Sequence, residues 1–74
     1  MKITYDSEGD VLYIQVRGVA PVDSVDIEDG VTVELDGDGH LVALELLDAS
    51  KRLTPEELTS VSYENLLLAA SKVP

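Results

Sequence analysis

Short apolar runs alternate with breaks of acidic residues and glycine over the first 48 residues of the chain. Such spacing is typical of an antiparallel meander, in which tight turns join neighbouring strands. Five strands are predicted, at 2–5, 11–17, 22–27, 31–36 and 41–47. In the second strand, Leu12, Ile14 and Val16 share a wholly apolar face, because successive side chains of a strand point to opposite sides. Gly9 is expected to supply a positive φ in the loop after the first strand.

The fifth predicted strand is apolar on nearly both of its faces. Val42, Leu44 and Leu46 point one way, whereas the residues that alternate with them are Leu41, Ala43, Glu45 and Leu47. A sheet that is covered on one side shows a clean alternation of apolar and polar positions in every strand. We therefore expect a cover over part of the second face, supplied by the C-terminal segment or by a second copy of the protein.

After Asp48 the pattern becomes helical. Thr54 is placed as an N-cap, Pro55 as the first helical residue, and Glu57 as the third, which is the arrangement of a capping box. We expect a short helix, a break near 60–62 and a second helix over 63–71; one continuous helix, or a strand over 61–63, are the alternatives. The predicted fold is one α+β domain over 1–74, with a sheet over 1–48 and one or two short helices of the segment 49–74 packed on it.

Three consecutive leucines lie in the second predicted helix. Leu66, Leu67 and Leu68 span about 200° of arc at 3.6 residues per turn, so a helix cannot keep all of them on one side. They are the predicted partner-contact residues. The alternative, given equal weight, is a wide core-facing surface with one exposed leucine, which folded proteins tolerate.

The charge and composition of the chain indicate which classes of partner it can bind. Fifteen acidic and five basic residues give a formal net charge of −10, which would repel phosphate backbones, so nucleic acid is not an expected partner. An acidic chain gains solubility and can meet a basic protein, because complementary charge speeds encounter. No stretch is long enough to span a membrane, and the N-terminus lacks the apolar core of a signal peptide. We expect a cytoplasmic protein without a membrane partner, which binds itself, for example as a homodimer, or a basic protein.

The stretch LDGDGHLV, residues 35–42, holds two Asp, two Gly and the single His of the chain. A calcium loop that began at Asp36 would place Leu41 at its sixth position and Leu47 at its twelfth, where Gly and an acid are required. A transition-metal site would need further His or Cys ligands, and the chain has no Cys. The stretch is therefore predicted to be a hairpin loop. Gly37 and Gly39 are expected to supply positive φ, with Asp36 and Asp38 bonded to backbone amides, and no metal, cofactor or catalytic residue is predicted.

Paired carboxylates are the remaining candidate chemistry. With the hairpin centred between 38 and 39, Glu34 lies opposite about residue 43, and Glu45 lies diagonal to it on the same face. Two close carboxylates can divide the roles of acid and base, but an exposed diagonal pair does so weakly, and a solvated acidic face is the favoured explanation of the pair. A small hydrolase or metal-dependent enzyme that uses surface carboxylates is accordingly the alternative function. With one His in a turn, no Ser-His-Asp triad is expected.

Two strings of the sequence resemble a known family. MKITYDSEGDVLYIQV, residues 1–16, and VDIEDGVTVELDGDGHLVALELLDAS, residues 25–50, are similar to the small bacterial and archaeal family called domain of unknown function 2283. The most specific part is YD.E.D.LYI, which begins at Tyr5; Ala43 stands where the family often has Gly, and the tail after Lys51 matches loosely. The resemblance implies no assigned activity and no catalytic residue. Some members look like the antitoxin halves of toxin–antitoxin pairs, which favours a non-enzymatic protein-interaction module.

Overall fold

A five-stranded antiparallel sheet followed by two short helices forms the protein, as a computed structural model that describes residues 1–66 shows. The elements are β1 Lys2–Asp6, β2 Val11–Gln15, β3 Asp23–Glu28, β4 Val31–Leu35, β5 Leu41–Leu47, α1 Ala49–Arg52 and α2 Pro55–Thr59. The predicted α+β fold, with five antiparallel meander strands and short helices after them, is confirmed. Strand β2 is shorter than predicted, because its regular pairing ends at Gln15.

The strand order in space is β1-β2-β5-β4-β3. Strands β3, β4 and β5 form one consecutive meander, and the chain between β2 and β3 crosses the sheet so that β5 pairs with both β2 and β4. Strand β5 is therefore the central strand. The neighbouring strands on both sides shield Ala43 in its middle, whereas Leu41 and Leu47 at its ends are exposed.

Few side chains are fully buried. Among residues 1–66 the buried hydrophobic positions are Val31, Val42, Ala43 and Ala49. Ala43 lies in the middle of β5, where Gln15 and Glu34 are its partners on the two neighbouring strands. The buried part of the sheet is thus limited to β5 and the start of β4, and the rest of each face is partly open to solvent.

The helix start at Thr54 is as predicted. The Thr54 hydroxyl accepts a hydrogen bond from the Glu57 backbone N–H at 3.1 Å, and the Glu57 carboxylate accepts one from the Thr54 N–H at 2.8 Å, with Pro55 in the first helical turn. Helix α2 ends at Thr59 and no regular structure follows to residue 66, so one continuous helix and a strand over 61–63 are both wrong. The second predicted helix is absent over 63–66, where hydroxyl and β-branched residues precede it and compete with helix formation. Its remaining part, 67–71, lies outside the described residues.

Helix α1 is fastened at one end of the sheet, and α2 contacts α1. Arg52, the last residue of α1, donates from Nε to the Leu47 carbonyl at 2.7 Å and from Nη2 to the Asp29 carbonyl. The guanidinium lies against Gly30, whose φ of 83° is the left-handed conformation that glycine favours. Arg52 thus forms a clamp between α1 and the turn between β3 and β4, whereas among residues 1–66 no helix packs across the sheet.

Candidate functional site

The stretch 35–42 forms the end of the β4–β5 hairpin as predicted, and one carboxylate organises its loop, residues 36–40. The Asp36 side chain accepts hydrogen bonds from the backbone N–H groups of Asp38 and His40, both at 2.9 Å, and from Arg17 Nη2 at 2.7 Å. The Arg17 bond, with the amide of His40 second, lowers the pKa of Asp36 to about 2. The Asp36 carboxylate therefore stabilises the turn through these three hydrogen bonds.

Two details of the predicted turns are wrong. Gly39 has a φ of 81° as expected, but Gly37 does not have a positive φ. In the first loop, Asp10, with a φ of 56°, takes the left-handed conformation that was predicted for Gly9. Aspartate visits this conformation more readily than most residues with a Cβ. Here its carboxylate is held by hydrogen bonds from Tyr5 and Ser50.

Asp10 joins the first hairpin to α1. Its carboxylate accepts hydrogen bonds from the Tyr5 hydroxyl at 2.7 Å, from the Ser50 hydroxyl at 2.7 Å and from the Ser50 backbone N–H at 2.9 Å. Its carbonyl accepts a further bond from the Ala49 N–H at 3.0 Å. The Ser50 hydroxyl, and then the Tyr5 hydroxyl, lower the pKa of Asp10, so the group is a poor base and Ser50 gains no nucleophilic character from it.

Sequence reasoning missed this network. Asp10 and Ser50 are 40 residues apart, and neither belongs to a local motif that links them. The available signal was the resemblance itself, because the strings that carry it contain Tyr5, Asp10 and Ser50. The network explains the short helix α1, which was not predicted: four residues are too few to show a helical period, and long-range hydrogen bonds fix its first turn.

The two paired carboxylates, Glu34 and Glu45, lie on one face of the sheet, called here the polar face. The register places Glu34 opposite Ala43 and Glu45 opposite Thr32, which is the predicted diagonal arrangement. The face comprises two rows across the strands: Thr4, Tyr13, Glu45, Thr32 and Asp26, and Lys2, Gln15, Ala43, Glu34 and Ser24.

Hydrogen bonds already occupy part of this polar face. The Tyr13 hydroxyl donates to Glu34 Oε1, and the Thr32 hydroxyl donates to Asp26 Oδ1 at 2.8 Å. The bond to Glu34 raises the pKa of Tyr13, so the phenol remains a neutral donor at neutral pH. Residues 1–66 contain no group of three or more His, Cys, Asp or Glu side chains that could hold a metal ion. The face offers negative charge over a flat sheet rather than an enclosed reaction site.

The opposite face, called here the apolar face, carries two rows of hydrophobic side chains. The first crosses all five strands and the second crosses four: Ile3, Ile14, Leu44, Val33 and Val25, and Tyr5, Leu12, Leu46 and Val31. At about 4.8 Å between strands, the first row is about 19 Å wide. Ile3 and Tyr5 are each 40% exposed and Val25 is 49% exposed, while only Val31 of the two rows is buried. No described helix packs across the face.

The expected cover over the second face of β5 is not present among residues 1–66. Leu41 and Leu47 on that face are 43% and 41% exposed, and Ala43 is shielded by the neighbouring strands. More hydrophobic side chains are left open on the apolar face. Of the predicted partner-contact residues, Leu66 is 67% exposed, whereas Leu67 and Leu68 lie outside the described residues. Within residues 1–66, no helix is long and apolar enough to span a membrane.

Comparison with known proteins gives one match. Neither the curated proteins nor the solved structures contain a match to this chain. A family model described as a protein of unknown function (DUF2283) matches residues 2–50, a range that contains the whole sheet and the Tyr5–Asp10–Ser50 network. Because this match covers more than half of the chain, the protein belongs to the family of unknown function DUF2283.

Proposed function

We propose that the protein is a non-enzymatic, cytoplasmic protein-interaction module that binds another protein surface through its apolar face. The observation that carries the proposal is the state of the two apolar rows. Eight of their nine side chains are not fully buried by residues 1–66. Contiguous uncovered hydrophobic surface of this kind, rimmed by polar residues, is typical of interaction sites.

The chemistry of the apolar face restricts its partner. The nine positions contain no charged side chain, and Glu28, which pairs with Val31 after the irregularity in β3, lies at the edge of the second row. An occupant must therefore bring an apolar surface of its own rather than a basic patch. A second copy of the protein meets this requirement, because two such faces can pack as sheet on sheet at about 10 Å. Self-association also leaves the two polar faces, with their carboxylates, on the outside and in water.

The polar face supports a second binding mode, the antitoxin-like capture of a small basic protein. It carries Glu34, Glu45 and Asp26, and the whole chain has a net charge of −10. Glu45 makes no ion pair among the described residues and is free to meet a partner's Lys or Arg. Such contacts raise the rate of encounter and fall with added salt.

A matched pair of variants tests the apolar face. Val25 and Ser24 are adjacent on β3, point to opposite faces and are both exposed, so Val25→Lys and Ser24→Lys introduce the same charge on different faces. Sedimentation velocity from micromolar to millimolar concentration measures self-association. We expect Val25→Lys to weaken self-association of the native protein about tenfold or more, since a desolvated lysine is costly, and Ser24→Lys to leave it unchanged.

The second binding mode is tested by calorimetric titration with the purified product of a neighbouring gene that encodes a small basic protein. Glu45→Gln is expected to weaken that binding and to reduce its salt dependence, whereas Glu56→Gln, on exposed α2, is the charge-matched control. The proposal is wrong if the native protein stays monomeric at millimolar concentration and also fails to bind this product. If Val25→Lys and Ser24→Lys self-associate equally strongly, the apolar face is not the binding surface.

A further inference from the structure

The two edge strands of the sheet differ in how they are protected. Strand β3 carries three acidic residues along its six positions and has an irregular pairing between Asp26 and Glu28. Acidic side chains and bulges are devices by which proteins prevent edge-to-edge pairing. Strand β1, with the sequence KITYD, pairs with β2 in an unbroken register and contains neither a bulge nor a proline. The charged residues of β1, Lys2 and Asp6, stand only at its two ends, so among residues 1–66 the β1 edge is the open one.

The hydrogen-bond pattern shows which groups β1 presents at its free edge. The Val16 N–H, just after β2, donates to the carbonyl of Val42 in β5 at 2.8 Å. Since backbone groups alternate in direction along a strand, even-numbered residues of β2 face β5 and odd-numbered ones face β1. The β1 partners of those odd-numbered residues, Thr4 among them, use their groups toward β2. The N–H and C=O groups of Ile3 and Tyr5 thus point away from the sheet and pair with no other described strand.

We propose that β1 pairs antiparallel with β1 of a second copy, about a two-fold axis at Thr4, so that two sheets join into one of ten strands. This proposal deepens the proposed function by naming the second copy as a partner and β1 as the surface that binds it. It does not require the apolar face to be the contact. The two-fold arrangement closes on itself and yields a dimer rather than a filament.

The sequence of β1 is self-complementary in this register. Ile3 lies opposite Tyr5 of the second copy, and by symmetry Tyr5 lies opposite Ile3, so the free backbone groups form four hydrogen bonds. Aromatic and β-branched residues are favourable cross-strand partners. Thr4 faces Thr4 of the second copy in the closely spaced, non-hydrogen-bonded position, where threonine pairs are also favourable.

The charges of β1 reinforce the same register. Lys2 and Asp6 lie at opposite ends of the strand on the polar face, so the two-fold axis brings Lys2 of each copy opposite Asp6 of the other. Opposite charges stabilise such a pair, and like charges destabilise it. Pairing in parallel would instead set Lys2 beside Lys2 and Asp6 beside Asp6. The ion pairs, like the Ile3–Tyr5 pairs, occur twice in the dimer.

Charge reversal tests the register. Lys2→Glu and Asp6→Lys each place like charges opposite one another at two sites, and each is expected to weaken the dimer about tenfold or more in sedimentation equilibrium. The double variant Lys2→Glu/Asp6→Lys has the native net charge and exchanges the two partners, so it is expected to restore the native dissociation constant. Double-variant binding as weak as that of the single variants would overturn the register.

Ile3→Pro tests the edge itself. The Ile3 N–H makes no bond to β2, so proline there leaves the β1–β2 ladder intact and removes the edge donor together with the Ile3 side chain. Edge strands tolerate proline at such positions. Circular dichroism is expected to stay native while the dimer is lost. In the native protein, hydrogen exchange should show concentration-dependent protection of the Ile3 and Tyr5 amides, with Thr4 protected at all concentrations. Dimerisation of a folded Ile3→Pro variant with native affinity would overturn the proposal.

These variants also separate this inference from the proposed function. If Ile3→Pro abolishes self-association and Val25→Lys does not, the edge pairing stands and binding through the apolar face fails. If Val25→Lys weakens association and Ile3→Pro does not, the apolar face stands and the edge pairing fails.

Discussion

Replacement of Gly30 by alanine should destabilise the protein through two separable effects. Gly30 has a φ of 83°, a conformation that costs a residue with a Cβ about 1–2 kcal/mol. A Cβ at this position would also lie 2.2 Å from Nη2 of Arg52. The guanidinium would have to move, and it would lose its contacts with the carbonyls of Leu47 and Asp29.

The size of the second effect follows from those hydrogen bonds. Bonds from a charged donor contribute about 1.5–3 kcal/mol each, and the Arg52 side chain is 27% exposed, so the lower end applies to the pair together. Gly30→Ala is therefore expected to lower the free energy of unfolding by about 3 kcal/mol. Gly39→Ala is the matched control: its φ is 81°, but no atom lies within 4 Å of the added Cβ, so only the backbone cost of about 1–2 kcal/mol applies.

Urea unfolding followed by circular dichroism measures both variants, and Arg52→Ala supplies the double-mutant cycle. In the Arg52→Ala background the difference between Gly30→Ala and Gly39→Ala should vanish, because no guanidinium remains to be displaced. Equal destabilisation by the two glycine variants in the native background would refute the clamp. A difference in destabilisation between the two glycine variants that persists in the Arg52→Ala background would also refute it.

Three further outcomes are expected. The pKa of Asp36 is about 2 against an ordinary 3.8, so the folded state favours its charged form. This stabilisation is full above pH 3.8 and is lost as the pH falls toward 2. Arg17→Gln should raise the pKa of Asp36 measured by NMR. Ser50→Ala removes the main cause of the lowered pKa of Asp10 and should raise it toward its ordinary value, while Ser24→Ala leaves it unchanged. Millimolar calcium or zinc should not shift the melting temperature, because residues 1–66 hold no group of metal-capable side chains; a saturable rise would favour the metal-dependent alternative.

Local interactions explain what could be predicted from the sequence. The capping box at Thr54 and the register of Glu34 opposite Ala43 depend on residues within about ten positions of each other, where side-chain spacing and loop length decide the geometry. Local spacing could not predict that β5 lies between β2 and β4, although the sequence of β5 contained an indication of it. Apolar residues on both faces indicated a central strand, and they were interpreted as the need for a cover.

Long-range partners explain what could not be predicted. The left-handed residue in the first loop is Asp10 rather than Gly9, because hydrogen bonds from Ser50 hold its carboxylate. Composition and spacing do not show a contact across 40 residues. Helix α1 could not be predicted for the same reason. Long-range hydrogen bonds hold both of its ends, from Ser50 to Asp10 and from Arg52 to the Asp29 carbonyl.

Association and stability are coupled in a sheet with so thin a core. Small domains bury a modest share of their surface, and in residues 1–66 the fully buried side chains are confined to the middle of the sheet and to Ala49. Any contact that covers the apolar face in the folded state alone must stabilise that state by mass action. The unfolding midpoint should therefore rise with protein concentration in the native protein and in Ser24→Lys, and much less in Val25→Lys. A midpoint independent of concentration in all three proteins would show that the fold is complete without a partner on this face.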